Sequence, residues 1–156
     1  MFVSVCSTGS PSWNAHVIAV SVARRAAPLV PHDAPLRLVA ANTCYRAGRI
    51  EEGIQLAEQA RGAARGGRLA ARCLLHCGIG HQMKAQKTNS RIEKEAENDV
   101  SLKYLVQSVQ LDDNDHLAFY HLALQYMRLG MLNEAMDATR ACLARRAECG
   151  GALRLA

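Results

Sequence analysis

DDNDHLAFYHLALQYMRLGMLNEAMDATRACL, residues 112–143, reads as two helices joined by a tight turn. In its first half, apolar residues fall at Leu117, Phe119, Tyr120, Leu122, Ala123, Leu124, Tyr126, Met127 and Leu129. They wrap most of a helix, which predicts neighbours on more than one side. Gly130 breaks the pattern where a tight turn needs a residue without a Cβ. The second helix is expected to open at Asn133, a good N-cap, with Glu134 in the first turn where a negative charge suits the helix dipole. Ala135, Met136, Ala138, Cys142 and Leu143 then recur at spacings of three and four. The small residues Ala123, Ala135 and Cys142 are expected where the two helices cross, with Phe119, Tyr126 and Leu132 filling the space between.

The same grammar occurs twice upstream. One hairpin spans about 35–66, with Leu36, Leu38, Val39, Ala41, Cys44 and Tyr45 on its first helix, Gly48 at the turn, and Ile50, Gly53, Ile54, Ala57 and Ala60 on its second. A middle hairpin spans about 69–111: a first helix from Leu69 to Gln86 around Cys73, Leu74, Cys77, Gly78 and His81, and a second from Val100 to Leu111 around Leu102, Leu105, Val106 and Val109. The third spans about 115–147. Ala60, Ser108 and Cys142 occupy the same late small position, giving steps of 48 and 34 residues. The shorter step is the length of a tetratricopeptide (TPR) repeat, so the middle unit carries about 14 extra residues. They are expected between its two helices, around Lys84–Asn98. The fold class expected is therefore all-α, a TPR-type solenoid of helical hairpins with about three repeats, the middle one enlarged. Residues 34–149 form that array, 150–156 a tail, and 1–33 an N-terminal segment of unknown role. Within that segment Trp13, His16, Val17, Val20, Val22 and Ala23 predict a helix over 13–27, and Pro28, Pro31 and Pro35 mark a linker.

A narrower resemblance rests on Ala34-Pro35-Leu36, Ala40-Ala41 with Cys44, Arg49-Ile50-Glu51-Glu52-Gly53, the insertion around Met83-Lys84-Ala85, and the run from Leu111-Asp112-Asp113-Asn114 through Ala118-Phe119-Tyr120-His121-Leu122-Ala123-Leu124-Gln125. Over roughly Ala34 to Leu143 the chain resembles the tetratricopeptide repeat protein 7 family, and its order and spacing are similar to an internal piece of a longer chain. The resemblance implies a non-catalytic helical scaffold of the plasma-membrane phosphatidylinositol 4-kinase complex. It implies as partners the lipid kinase, a hyccin-type subunit and an EFR3-type membrane anchor, with a cytoplasmic location peripheral to the plasma membrane through those partners. Two departures from the repeat pattern are Gly53 in place of the usual alanine and Ala147 where proline often stands.

Composition limits the alternatives. The chain has 156 residues, 49% of them hydrophobic, and only four prolines, which suits stacked hairpins sharing one core and argues against a sheet protein. No apolar stretch reaches the ~18 residues of a membrane span. Ser7 to Asn14 interrupts the apolar start and no basic segment precedes it, so no secretory signal is read there. GxSxG, GxxxxGK[ST], HExxH and GxGxxG are all missing from the sequence. Cys77-Gly78-Ile79-Gly80 lies inside a helical pattern, where Gly78 is expected to let two helices approach. No cofactor is implied, and the reading is of a protein without catalytic residues.

Six cysteines invite a disulfide or metal reading, yet four fall at apolar or small helical positions, which predicts buried free thiols. Cys73, His76, Cys77 and His81 share one helix, and a single helix cannot close a tetrahedron around zinc. The core reading is preferred. The net charge of +5 is unevenly spread: Arg61, Arg65, Arg68, Arg72, Lys84, Lys87 and Arg91 precede an acidic run of Glu93, Glu95, Glu97, Asp99, Asp112, Asp113 and Asp115. A solvated face is the plainer account of the basic run, with anionic lipid or an acidic partner as the alternative. No aromatic residue interleaves it, so nucleic-acid binding is not expected. Glu93, Glu95 and Glu97 read as a solvated insert, and His116 and His121 as facing solvent or a partner.

Partner contact is expected in the concave groove, lined by first helices, with Asn42, Tyr45, Arg46, Gln82, Gln125 and Arg128 as candidate partner-binding residues. The alternative to the kinase scaffold is a generic TPR adaptor or co-chaperone that clamps the acidic tail of a partner protein. Its cations would come from Arg37, Arg46, Lys84 and Arg128. The last helix lacks a polar outer face, which predicts self-association or marginal folding of the isolated chain.

Overall fold

The computed structural model describes residues 33–154 together with Ser21 and Arg25, with side chains as far as Ala147. The helix expected over 13–27 and the linker after it lie outside the described residues. Six α-helices follow in order: α1 (Ala34–Arg46), α2 (Ile50–Ala63), α3 (Gly67–Lys87), α4 (Arg91–Leu111), α5 (His116–Arg128) and α6 (Leu132–Arg154). They form three antiparallel hairpins, α1/α2, α3/α4 and α5/α6, with α2 packed on α3 and α4 on α5. The first helices also meet, α1 against α3 and α3 against α5, so each hairpin stacks on the one before it.

Local chemistry sets the boundaries. Asp33 caps α1 by accepting from Leu36 N–H at 3.0 Å, with Pro35 in the first turn where its missing N–H costs nothing. Asp115 caps α5 by accepting from Leu117 N–H at 3.1 Å. The turns of the first and third hairpins are built alike: Gly48 at φ 77° and Gly130 at φ 75°. After each, the next residue's N–H closes the turn, Arg49 to Cys44 O and Met131 to Tyr126 O, both at 2.9 Å. Residue n of the first hairpin thus corresponds to residue n + 82 of the third. Helix α6 starts at Leu132. Asn133 therefore lies within its first turn and is not its N-cap, because the turn closes one residue earlier than the side-chain signal suggests.

The middle hairpin corrects one expectation. Lys84–Asn98 is not a loop: α3 and α4 are each 21 residues long and are joined by Thr88-Asn89-Ser90 alone. The extra length is taken up as about two additional turns on each helix. Only Thr88-Asn89-Ser90 interrupts the helical path over 84–98, and Ser90 caps α4 by accepting from Glu93 N–H at 3.4 Å. The added turns hold together through Glu97, which accepts from His81 Nδ1 at 2.6 Å and Lys84 Nζ at 2.8 Å. Lys87 also donates to Gly48 O at 3.1 Å, tying the extension to the first hairpin's turn.

The core runs along the stack as three clusters, two of them bridged by Ile79. One cluster joins Ala41, Tyr45, Ile50, Ile54, Ala57 and Cys77; another joins Ala34, Leu38, Ala60 and Cys73; a third joins Leu75, Leu105, Ala118, Leu122, Ala123 and Ala138. Close approach depends on two glycines of α3. A Cβ on Gly80 would stand 2.5 Å from Ile54 Cγ1 and from Tyr45 Oη, and one on Gly78 would stand 2.8 Å from Leu105 Cδ2. Gly53, which replaces alanine, does the same for Tyr45, whose ring lies against it. Leu132, expected to fill space between α5 and α6, is exposed, for a reason given below.

Candidate protein-binding site

The middle and third hairpins meet across a polar seam. Gln82 of α3, Asn98 of α4 and Gln125 of α5 are all buried. Gln82 Nε2 donates to Gln125 Oε1 at 3.0 Å and to His121 O at 3.1 Å. Gln125 Nε2 donates in turn to Asn98 O and Asn98 Oδ1, both at 3.0 Å. His121 Nδ1 lies 3.1 Å from Gln82 Oε1, so the ring donates there and completes a directional chain. Burial, with positive charge on His76 and Arg128 adding to it, holds the His121 imidazole down to about 4, and it is neutral in the fold. His121 therefore faces the seam and not solvent or a partner.

Of the six candidate partner-binding residues, three build the interior. Gln82 and Gln125 are used up in the seam, and Tyr45 is buried with its hydroxyl donating to His76 O at 2.8 Å. Helix α3 is packed against α1 on one side and α5 on the other, so Tyr45, Gln82 and Gln125, expected to face a groove, are turned into contacts between hairpins. Asn42, Arg46 and Arg128 are exposed, the first two on α1 and the third at the end of α5.

Arg128 stands in a pocket of about 200 Å³ lined by Ala85, Gln86, Lys94, Asn98 and Arg128. Two of its walls, Gln86 and Lys94, belong to the added turns of the middle hairpin. With the Gln86 amide oxygen turned toward the guanidinium, it accepts from Arg128 Nη1 at 3.0 Å and Nη2 at 2.5 Å. Partial burial lowers the Arg128 pKa from its ordinary value. Neither Arg128 nor Lys94 pairs with a carboxylate among the described residues. Two of the other cations considered for a clamp are otherwise placed: Arg37 donates to Gln59 O, and Lys84 pairs with Glu51 at 3.3 Å and with Glu97.

Sequence reasoning misses Lys94, Asn98 and Gln86 as site residues: Gln86 stands at the end of the expected first helix, and the segment holding Lys94 and Asn98 carries no apolar period to mark it as helix. A signal is nonetheless present in Ser90-x-x-Glu93, a helix-start pattern that places Lys94 and Asn98 one turn apart on one helix. Glu97 belongs to the same correction. Burial alone would raise its pKa, yet hydrogen bonds from Lys84 and His81 hold it below the usual carboxylate range.

The cysteine–histidine set is core. Cys73 and Cys77 are buried in different clusters, and burial pushes the Cys73 thiol up to about 11 and the Cys77 thiol higher still. Among the described residues no group of three or more His, Cys, Asp or Glu side chains is placed to hold a metal. The basic run is largely paired: Arg61 with Glu58 at 2.9 Å, Arg91 with Glu95 at 2.9 Å, and Arg72 Nε with Asp115 Oδ2 at 2.8 Å, an ion-pair distance off the line of a hydrogen bond. No helix among the described residues is long and apolar enough to cross a membrane.

The arrangement of hairpins has a counterpart among solved structures. The chain aligns with TTC0263, a thermophilic TPR protein of Thermus thermophilus, at a TM-score of 0.75 and 14% identity, over 85% of this chain and 67% of that chain. The chain has a TPR-type fold. A second structure, MamA, aligns over 97% of this chain and 99% of that chain at 9% identity and a TM-score of 0.35, too loosely to argue from. No protein-family model and no curated protein matches the sequence. The likeness to TTC0263 thus fixes the all-α hairpin architecture, in which the TPR-type stack places the lengthened middle hairpin beside α5 and so forms the pocket.

Proposed function

We propose that this chain is a non-catalytic protein-binding scaffold, and that the pocket between the lengthened hairpin and α5 receives a carboxylate of a partner protein. Arg128 carries the reading. It is a partly desolvated guanidinium with an amide oxygen beside it and, among the described residues, no carboxylate against it. A guanidinium flanked by a lysine and two amides suits a carboxylate, which can take two parallel N–H···O bonds from the fork and a third from the ammonium.

The finer reading is that the scaffold helps assemble a phosphatidylinositol 4-kinase complex and localise it at the plasma membrane, with the lipid kinase, a hyccin-type subunit and an EFR3-type anchor as partners. It rests on the sequence resemblance, and the long middle hairpin followed directly by the α5 sequence supports it. The pocket equally favours the wider reading of a TPR adaptor or co-chaperone that holds acidic peptide tails. Affinity capture with the full chain separates the two. The finer reading predicts recovery of a phosphatidylinositol 4-kinase and a hyccin-type subunit, reduced by Arg128→Glu with Lys94→Glu. Recovery of neither by the wild-type chain removes the kinase-complex assignment.

A further inference from the structure

The two outer hairpins are built on one plan but buried differently. In the first hairpin, α3 lies across α1 and α2, and its Cys77 packs with Tyr45, Ile50 and Ile54. The corresponding residues of the third hairpin, 82 positions on, are Met127, Leu132 and Met136. Ile50 is 7% exposed and Leu132 65%; Ile54 is 9% exposed and Met136 55%. Met127 is exposed where Tyr45 is buried, and so is Tyr120 where Leu38 is buried. Large apolar or aromatic side chains stand at all four pairs of positions; among the described residues a covering helix lies over the first hairpin and not over the third. The uncovered face has the relief of a helix seat, a pocket of about 390 Å³ lined by Met127, Leu132, Ala135, Met136, Thr139 and Arg140.

We infer that the α5/α6 face seats one amphipathic helix from a partner protein, stacked as α3 is stacked on α1 and α2, with small residues along its seam and a carboxylate beside Arg140. The seat continues the interface that joins α2 to α3 and α4 to α5, so the position of the incoming helix is set by the stack itself. Its seam must be small because α3 meets the equivalent residues with Cys73, Cys77 and Gly80, and a Cβ at Gly80 would collide with Ile54 and Tyr45. Charge argues for the carboxylate. Arg140 occupies the position of Glu58, which accepts from Tyr104 of α4 at 2.5 Å; the Tyr104 ring in turn stacks on His81 of α3, their centroids 5.7 Å apart. Its present partner Asp137, at 3.0 Å, forms an exposed pair that is readily exchanged. Charge also argues against a second copy. The exposed side of α1 offers Pro35, Val39, Asn42 and Arg46, one large apolar residue and a cation, to a face already bearing Arg140.

The inference deepens the protein-binding reading, resting on it only in that the occupant is a protein helix; the seat and the Arg128 pocket can fail separately. The probe is a fluorescent 21-residue peptide of the α3 sequence, residues 67–87, carrying His81→Glu, titrated into the full chain and read by anisotropy. Saturable binding is expected, weakened about tenfold or more by Leu132→Asp with Met136→Asp and about tenfold by Arg140→Glu. Lys103→Glu, an exposed change on α4 outside the lining of both pockets, is expected to leave it unchanged. All these positions are exposed, and unchanged helical circular dichroism confirms that the variants fold. Lack of binding, or binding indifferent to Leu132→Asp with Met136→Asp, overturns the seat. A wild-type dimer in sedimentation that Met136→Asp dissociates overturns the partner assignment in favour of a second copy.

Discussion

Replacing Gln125 with leucine tests whether the polar seam fixes the register of the middle hairpin on the third. Gln125 is fully buried, accepts from Gln82, and donates to both oxygens of Asn98. In Gln125→Leu the Asn98 side-chain oxygen loses its only hydrogen-bonding partner among the described residues, a cost of ~1–3 kcal/mol for a buried orphan. The Asn98 carbonyl keeps its place in the α4 ladder, and Gln82 Nε2 keeps His121 O, so each loses one bond of two, worth ~0.5–1.5 kcal/mol. Leucine returns part of this through apolar burial. The balance is a loss of about 3 kcal/mol, a large share of the ~5–15 kcal/mol that holds a domain of this kind. In urea unfolding followed by helical circular dichroism, with a slope of ~2 kcal/mol/M, the midpoint should fall by ~1.5 M. Gln82→Leu with Gln125→Leu should cost less than the sum of the single changes by ~1 kcal/mol or more, since the bond between the two is lost in either single change. A shift below ~0.3 M for Gln125→Leu, or strict additivity, would refute the seam as a stabilising network.

Three further outcomes follow from the same geometry. Gly80→Ala should lower the urea midpoint by the equivalent of ~1–3 kcal/mol, because its Cβ lands on Ile54 and Tyr45, whereas Gly62→Ala, with open space around it, should raise the midpoint slightly. The neutral His121, at about 4 when folded against ~6.5 unfolded, contributes stability that is complete above ~6.5 and lost as pH falls toward 4, because the unfolded chain takes the proton first. Unfolding at pH 7 and pH 4.5 should differ accordingly, and a ring titration near 6.5 or above by NMR would contradict the buried assignment. Ser90→Ala should lose the cap of α4 and cost ~1 kcal/mol, seen as faster amide exchange over 91–97 than over 101–108.

The hairpin plan is legible in the sequence because it depends on local signals: apolar spacing, Gly48 and Gly130, and Asp33 and Asp115 ahead of their helices. Gly78 is legible as a close-approach position for the same reason. The middle hairpin's length is legible too, but not its form. Lys84–Asn98 is polar on nearly every side, so it lacks the periodicity that marks a buried helix, and only the Ser90 cap betrays it. The seam escapes a sequence reading because glutamine is common on exposed faces; Gln82 and Gln125 are buried by partners 27 or more residues away in sequence, which no local pattern records. Leu132 shows the converse. Its apolar character predicts burial, and its seat is built, yet no described helix covers it.

The protein-binding role turns most directly on whether the Arg128 pocket binds a partner carboxylate. Calorimetric titration of the full chain with a peptide carrying two adjacent glutamates and a free C-terminus, and with the same peptide amidated, measures this and shows which carboxylate is held. Binding that weakens with added salt and falls about tenfold or more in Arg128→Glu with Lys94→Glu is the predicted result. Failure of both peptides to bind, or equal binding by the wild-type chain and that double variant, would contradict it.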